Sequence, residues 1–313
     1  MFHKLKTAGI GLTLFFAISM LNARKGDKKE QVGPPLSDPD KLRIMVSVPP
    51  LANLVSKIGG DHVHVDTLVD KGQDPHTFSP SPAQMKTLGR ANILFTVGMP
   101  FEGSLIDKIT DTNAGITVAD AAAGIEKLEL EHHHHEEEDE AEGGHDHHDH
   151  DSDPHVWLAP YSIKVQLDNI AKSLTAAIPD KAAQFAENLK TAQAELNQAH
   201  EKIKGKLKPF SGRQFFVFHP AFGYFANEYD LEQIAIEIGG NNPTPNELIG
   251  FLAVAKAAKI QIIFIQPQFD PRSAEVIAKE LGAKVAILDP LAPDVITNLH
   301  AITDAIVEGF SGS

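Results

Sequence analysis

The chain has 313 residues, is 42% hydrophobic and contains no cysteine, so it is long enough for two packed domains and cannot form a disulfide, a thiolate metal site or a cysteine-linked lipid anchor. Its formal net charge is −14, and ten acidic residues between Glu131 and Asp151, unopposed by Lys or Arg, supply −10 of it. The remaining −4 is spread over the rest of the chain, which argues against nucleic acid as a partner.

The first residues, Met1-Phe2-His3-Lys4-Leu5-Lys6, are basic. An apolar stretch from Ile10 to Leu21 and the small residue Ala23 follow, before the charged run Arg24 to Glu30. This order describes a cleaved secretory signal over residues 1–23. The apolar centre is short for a membrane span, and an uncleaved anchor is the alternative, because Leu21 sits three before the cut. Residues 24–41, rich in Lys, Pro and Asp, read as a tether.

From residue 42 onward, runs rich in β-branched residues alternate with helical stretches. Leu42 to Val48, Val63 to Val69, Ile93 to Val97 and Ile116 to Val118 predict strands; Pro50 to Ile58 and Pro82 to Arg90 predict helices. The pattern returns with strands at Gln214 to Phe218, Gln233 to Ile238, Gln261 to Ile265 and Lys284 to Leu288, and helices at Asn246 to Ala258 and Arg272 to Leu281. Such alternation predicts an α/β fold of two lobes, residues 42–178 and 208–313, each with a mostly parallel sheet. Between them, Pro179 opens a polar segment to Leu207 with Phe185, Leu189, Leu196, Ile203 and Leu207 at spacings of four and seven. It predicts one long linking helix over 179–207, a rod of roughly 43 Å.

The loop from 131 to 151 interrupts the first lobe with eight histidines, His132, His133, His134, His135, His145, His147, His148 and His150, among its ten acids. Only Ala141, Gly143 and Gly144 break that polarity, so the segment has nothing with which to build a core, whereas imidazole and carboxylate suit a first-row divalent cation. These eight are read as weak, auxiliary metal ligands.

Asp-Pro-His occurs twice, at Asp74-Pro75-His76 and Asp153-Pro154-His155. Proline fixes its own φ and extends the residue before it, so each His is offered on a stiffened loop. His219 closes the strand Gln214 to Phe218, and Asp289 closes Lys284 to Leu288; in open α/β sheets ligands bind beyond the carboxyl ends of strands. His76, His155, His219 and Asp289 together would complete a four-coordinate site suited to Zn²⁺. An unperturbed imidazole titrates near roughly 6.5, so binding is expected to weaken as pH falls through that range.

These segments, with Ile44 to Pro50, Ser79-Pro80-Ser81-Pro82, Val156-Trp157, Phe218 to Phe225, Pro267-Gln268-Phe269 and Leu288 to Leu291, resemble the metal-binding solute receptors of bacterial ABC importers for zinc and manganese, and the zinc-type members in particular. The resemblance covers nearly the whole mature chain. It implies two α/β lobes joined by a single long helix, one metal in the cleft, ligands at His76, His155, His219 and Asp289, periplasmic location, and delivery by a monomer to an inner-membrane ABC permease. Manganese-type relatives look to have a carboxylate where this chain has His219, so zinc stands ahead of manganese or iron as the ion. Two departures are Asn242 and Gln266, where the family often has Glu.

A zinc hydrolase is the enzyme alternative, but the chain has no His-Glu-x-x-His motif, and four protein ligands would leave no open position, so no enzyme is expected. A storage or adhesion role would make the 131–151 loop the principal binder. His62 and His64 alternate on one strand face and offer a second, weaker pairing, His200 and His300 read as surface residues, and Trp157 reads as packing behind the second Asp-Pro-His loop.

Overall fold

The computed structural model describes residues 41–113, 115–129, 152–237 and 244–311. The signal segment 1–23, nearly all of the 24–41 tether, the 131–151 loop with its eight histidines, and Asn242 lie outside the described residues.

Two four-stranded sheets form the frame. β1 (Leu42–Val46), β2 (Val63–Thr67), β3 (Ile93–Thr96) and β4 (Thr117–Asp120) pair in the order β2-β1-β3-β4. β5 (Gln214–Val217), β6 (Glu232–Ala235), β7 (Ile262–Ile265) and β8 (Lys284–Ile287) repeat it as β6-β5-β7-β8. Every pairing is parallel. In both sheets the chain moves outward by one strand and then crosses back, so the order reverses beside the first strand of each. That reversal opens a crevice at the carboxyl ends of β1 and β3, and again at those of β5 and β7.

The predicted helices appear as α1 (Pro49–Gly59), α2 (Pro82–Leu88), α7 (Pro245–Ala257) and α8 (Pro271–Leu281). The Ser-Pro run ahead of α2 has a local use. Ser81 accepts from the Gln84 backbone N–H while the Gln84 side chain accepts from the Ser81 N–H, a reciprocal cap with Pro82 at the first helical position.

Four further helices are α3 (Glu102–Thr112), α4 (Pro160–Ala177), α6 (Gly223–Glu228) and α9 (Val295–Ser311). None was legible from β-branched runs and Pro/Gly punctuation alone. In α9, β-branched Val295, Ile302 and Ile306 raise the strand propensity of the segment, and its helical stripe is completed by buried Asn298, Leu299, Thr303 and Phe310.

The linking segment begins with a tight turn at Pro179–Lys181 and continues as α5 (Ala182–Leu207), 26 residues or about 39 Å. Phe185, Ala192, Leu196, Ala199, Ile203 and Leu207 are buried along it. It is not a bare rod: α4, α1 and α9 pack along it.

Strand alternation divides the second sheet between two cores. Phe215, Val217 and Phe264 join the large core that also holds β1, β3, α1, α4, α5 and α9. Phe216, Phe218, Ile263 and Ile265 face the other way, into a smaller cluster with Phe251 of α7 and Ala274, Ile277 and Ala278 of α8. No helix among the described residues is long and apolar enough to cross a membrane.

Candidate metal centre

Both Asp-Pro-His segments fold alike. The Asp74 Oδ1 accepts from the His76 N–H at 2.9 Å, and the Asp153 Oδ1 accepts from the His155 N–H at 2.9 Å. Each aspartate closes a turn around its proline by holding the backbone of the histidine two residues on.

Three of the four residues named from sequence meet. The Nε2 atoms of His76 and His155 are 3.3 Å apart, those of His76 and His219 3.1 Å, and those of His155 and His219 3.4 Å. The group is buried except for His76, which is partly exposed. Asp289 stands outside it: its Oδ1 accepts from Gln268 Nε2 at 3.1 Å and from the Leu291 N–H at 3.0 Å.

The other ring nitrogens determine what the cluster can do. His155 Nδ1 lies 2.7 Å from Asp153 Oδ1, and His219 Nδ1 lies 2.8 Å from Glu237 Oε2, with all four side chains buried. Where the partner is ionised it holds the proton on Nδ1 and leaves the lone pair on Nε2. With the lone pairs on Nε2, the His155 and His219 nitrogens face each other at 3.4 Å as acceptors beside His76 Nε2, a set that a proton donor or a divalent cation can satisfy. A tetrahedral Zn²⁺ at about 2.0–2.1 Å from each nitrogen separates its ligand atoms by about 3.3 Å, the size of the observed triangle. The cluster has the geometry of a site for zinc or a similar divalent ion.

Burial tunes His76 and His155 toward neutral imidazole. Desolvation, then the neighbouring His155 and His219, lowers the His76 pKa to about 3, against a smaller upward pull from Asp74. Desolvation and His219 lower His155 well below its ordinary value. Desolvation raises the Asp153 carboxyl to about 7.

The frame around His219 comes from the crevice between β5 and β7. Gln266, immediately after β7, accepts from the His219 N–H through Oε1 at 3.0 Å and donates from Nε2 to the His219 carbonyl at 3.2 Å. An amide can make both bonds, whereas a glutamate at this position could do so only when protonated. Phe269 stacks on the His219 ring with centroids 5.0 Å apart. Gly223 follows from a close approach, since a Cβ there would stand 2.8 Å from Asp153 Oδ2.

Contacts across the crevice join the two sheets. Trp157 meets the edge of the His155 ring and donates from Nε1 to the Pro290 carbonyl at 2.7 Å, so it packs behind the second Asp-Pro-His loop as expected and also ties that loop to the segment after β8. The Tyr224 hydroxyl donates to the Asp153 carbonyl and accepts from the Leu128 N–H, both at 3.1 Å.

His62 and His64 do not pair. His62 Nε2 lies 2.8 Å from Gln184 Oε1, and His64 faces Asp66 at 3.4 Å. His200 is partly buried, beside Tyr229 and Glu228. Glu237, which fixes His219, was missed from sequence: it lies 18 residues on and only the β5-β6 pairing brings it there.

The profile of the family described as zinc-uptake complex component A, periplasmic, matches residues 44–309. The chain is 33% identical over 287 residues to the high-affinity zinc uptake system protein ZnuA of Haemophilus ducreyi, covering 86% of this chain and 92% of that protein. It is 30% identical to the zinc-binding protein AdcA of Streptococcus pyogenes, over 80% of this chain and 50% of that protein. Among solved structures, a crystal structure of ZnuA superposes with a TM-score of 0.78 at 37% identity, covering 86% of this chain and 99% of that one. A ZnuA deletion mutant with zinc bound fits with the same TM-score and identity over 86% and 98%. With a match over most of its length and a three-histidine cluster of zinc-binding size, the chain belongs to the family of periplasmic zinc-uptake component A proteins, ZnuA.

Proposed function

We propose that the protein is a periplasmic receptor that captures Zn²⁺ between its two lobes and hands it to an ABC permease in the inner membrane. The Nε2 triangle of His76, His155 and His219 carries this reading, because its dimensions suit tetrahedral zinc. Zinc is the cargo, and the protein is a binding protein and not an enzyme. Asp289 completes the ligand set, offsetting part of the ion's charge with its one carboxylate, and the imidazole-rich set selects zinc over manganese. The lobes are taken as residues 42–178 and 208–313 with 179–207 between them. The 131–151 histidines act as weak collectors close in sequence to His155, which raises the local supply of ion.

Calorimetry tests the site. Wild type is expected to bind one zinc tightly, and His219→Ala to lose at least about 100-fold in affinity, since it opens a coordination position in a buried cluster. An unchanged affinity in that variant would remove the assignment. Deleting residues 131–151 is expected to abolish weaker binding and spare the tight site; loss of the tight site instead would favour the storage reading.

A further inference from the structure

The segment just after β7, Gln266-Pro267-Gln268-Phe269, holds both contributions of the second sheet to the proposed site. Gln266 grips the His219 backbone, Phe269 stacks on its ring, and Gln268 donates to Asp289 Oδ1. The Gln268 amide is fixed at a cost: its Oε1 is buried without a hydrogen-bond partner, and turning the amide over would set that oxygen against the carboxylate. A second donor, the Leu291 N–H, reaches the same Asp289 Oδ1.

Resting on the receptor reading above, we propose that Gln268 is a positioning residue that determines ion preference by occupying Asp289 Oδ1, so that Asp289 offers the ion a single oxygen, Oδ2. Three imidazoles and one carboxylate oxygen make a four-coordinate shell, the preference of zinc. Gln268 and the Leu291 N–H together fill both lone pairs of Oδ1; removing the Gln268 donor releases one of them, which would allow the carboxylate to chelate through both oxygens and raise the oxygen count, as suits manganese.

The experiment compares wild type, Gln268→Leu, Asp289→Ala and the double variant, titrating each full-length protein with Zn²⁺ and with Mn²⁺. Gln268→Leu is expected to weaken zinc binding about 10-fold, within the range for loss of a ligand's hydrogen-bond partner, and to leave manganese binding equal or stronger. In the Asp289→Ala background the same change is expected to shift zinc affinity less than 2-fold, because it acts through the carboxylate. Equal losses in both backgrounds, or parallel losses for both ions, overturn the proposal. So does an Asp289→Ala protein with wild-type zinc affinity, an outcome that leaves the three-histidine reading to stand on the His219→Ala result. X-ray absorption of zinc-loaded wild type gives an independent measure should Gln268→Leu fold poorly. One oxygen and three nitrogens around zinc support the proposal, and two carboxylate oxygens overturn it.

Discussion

His155 and His219 each lean on a buried carboxylate through Nδ1, and His76 has no such partner among the described residues. Gly223 protects one of these pairs, since Gly223→Ala must push against Asp153 Oδ2 and loosen the His155 ring. That variant is expected to lose about 10-fold in zinc affinity and about 1–3 kcal/mol in stability, measured by calorimetry and denaturant melts. A wild-type affinity would show that Asp153 does not hold His155 in place. The pH dependence also moves from the sequence expectation. With the His76 pKa lowered to about 3 from 6.5, the unfolded chain takes up a proton below pH 6.5 that the folded chain refuses until far lower. The contribution of His76 to stability is therefore intact above 6.5 and lost as pH falls toward 3. Between about pH 7.5 and 5 the metal-free wild type should lose about 2 kcal/mol more than His76→Gln, read as the difference in urea midpoints. Equal losses would mean that His76 titrates freely. For zinc, two freely titrating imidazoles would cut affinity about 100-fold between pH 7.5 and 5.5. With His76 and His155 already neutral, the fall those two cause is expected to be under about 10-fold by competition titration.

α5 was anticipated as a connector, and its apolar stripe was readable because spacings of four and seven return to one helix face. Its partners were not readable, for a periodic stripe says that a face is covered and not by what. α4, α1 and α9 cover it, and α9 also lays Phe310 near Arg213 and Ile262, at the amino ends of the central strands β5 and β7. Leu196→Ala, at a buried position on this face, is expected to cost about 2–5 kcal/mol. Because one core runs from β1 through α5 to Phe215 and Phe264, the variant should lower a single melting transition without splitting it. Two separated calorimetric transitions would show lobes that melt independently.

Across the whole molecule, the sheets are held together by more than the linking helix. The shared core, the Trp157 to Pro290 bond and the Tyr224 bonds to Asp153 and Leu128 all span the crevice that holds the histidines. Closure around an ion is therefore expected to involve side chains and short loops, with little hinge rotation between lobes. Small-angle scattering with and without zinc is expected to give radii of gyration within about 1 Å, against the roughly 19 Å of a compact chain of this length. A larger contraction would refute a rigid connection.

Periodicity and punctuation were enough, without coordinates, for two parallel α/β sheets and a long helix between them, because strand and helix repeats are local properties of the chain. The Asp-Pro-His repeats and the Pro after His219 were legible for the same reason, since proline restricts its neighbours whatever the fold. The size of the Nε2 triangle, the carboxylates behind His155 and His219, the grip of Gln266 and the hold of Gln268 on Asp289 depend on residues from 2 to 143 positions apart in the chain. Only parallel pairing, which carries each strand's carboxyl end to one side of its sheet, brings them together, and only burial then sets their protons.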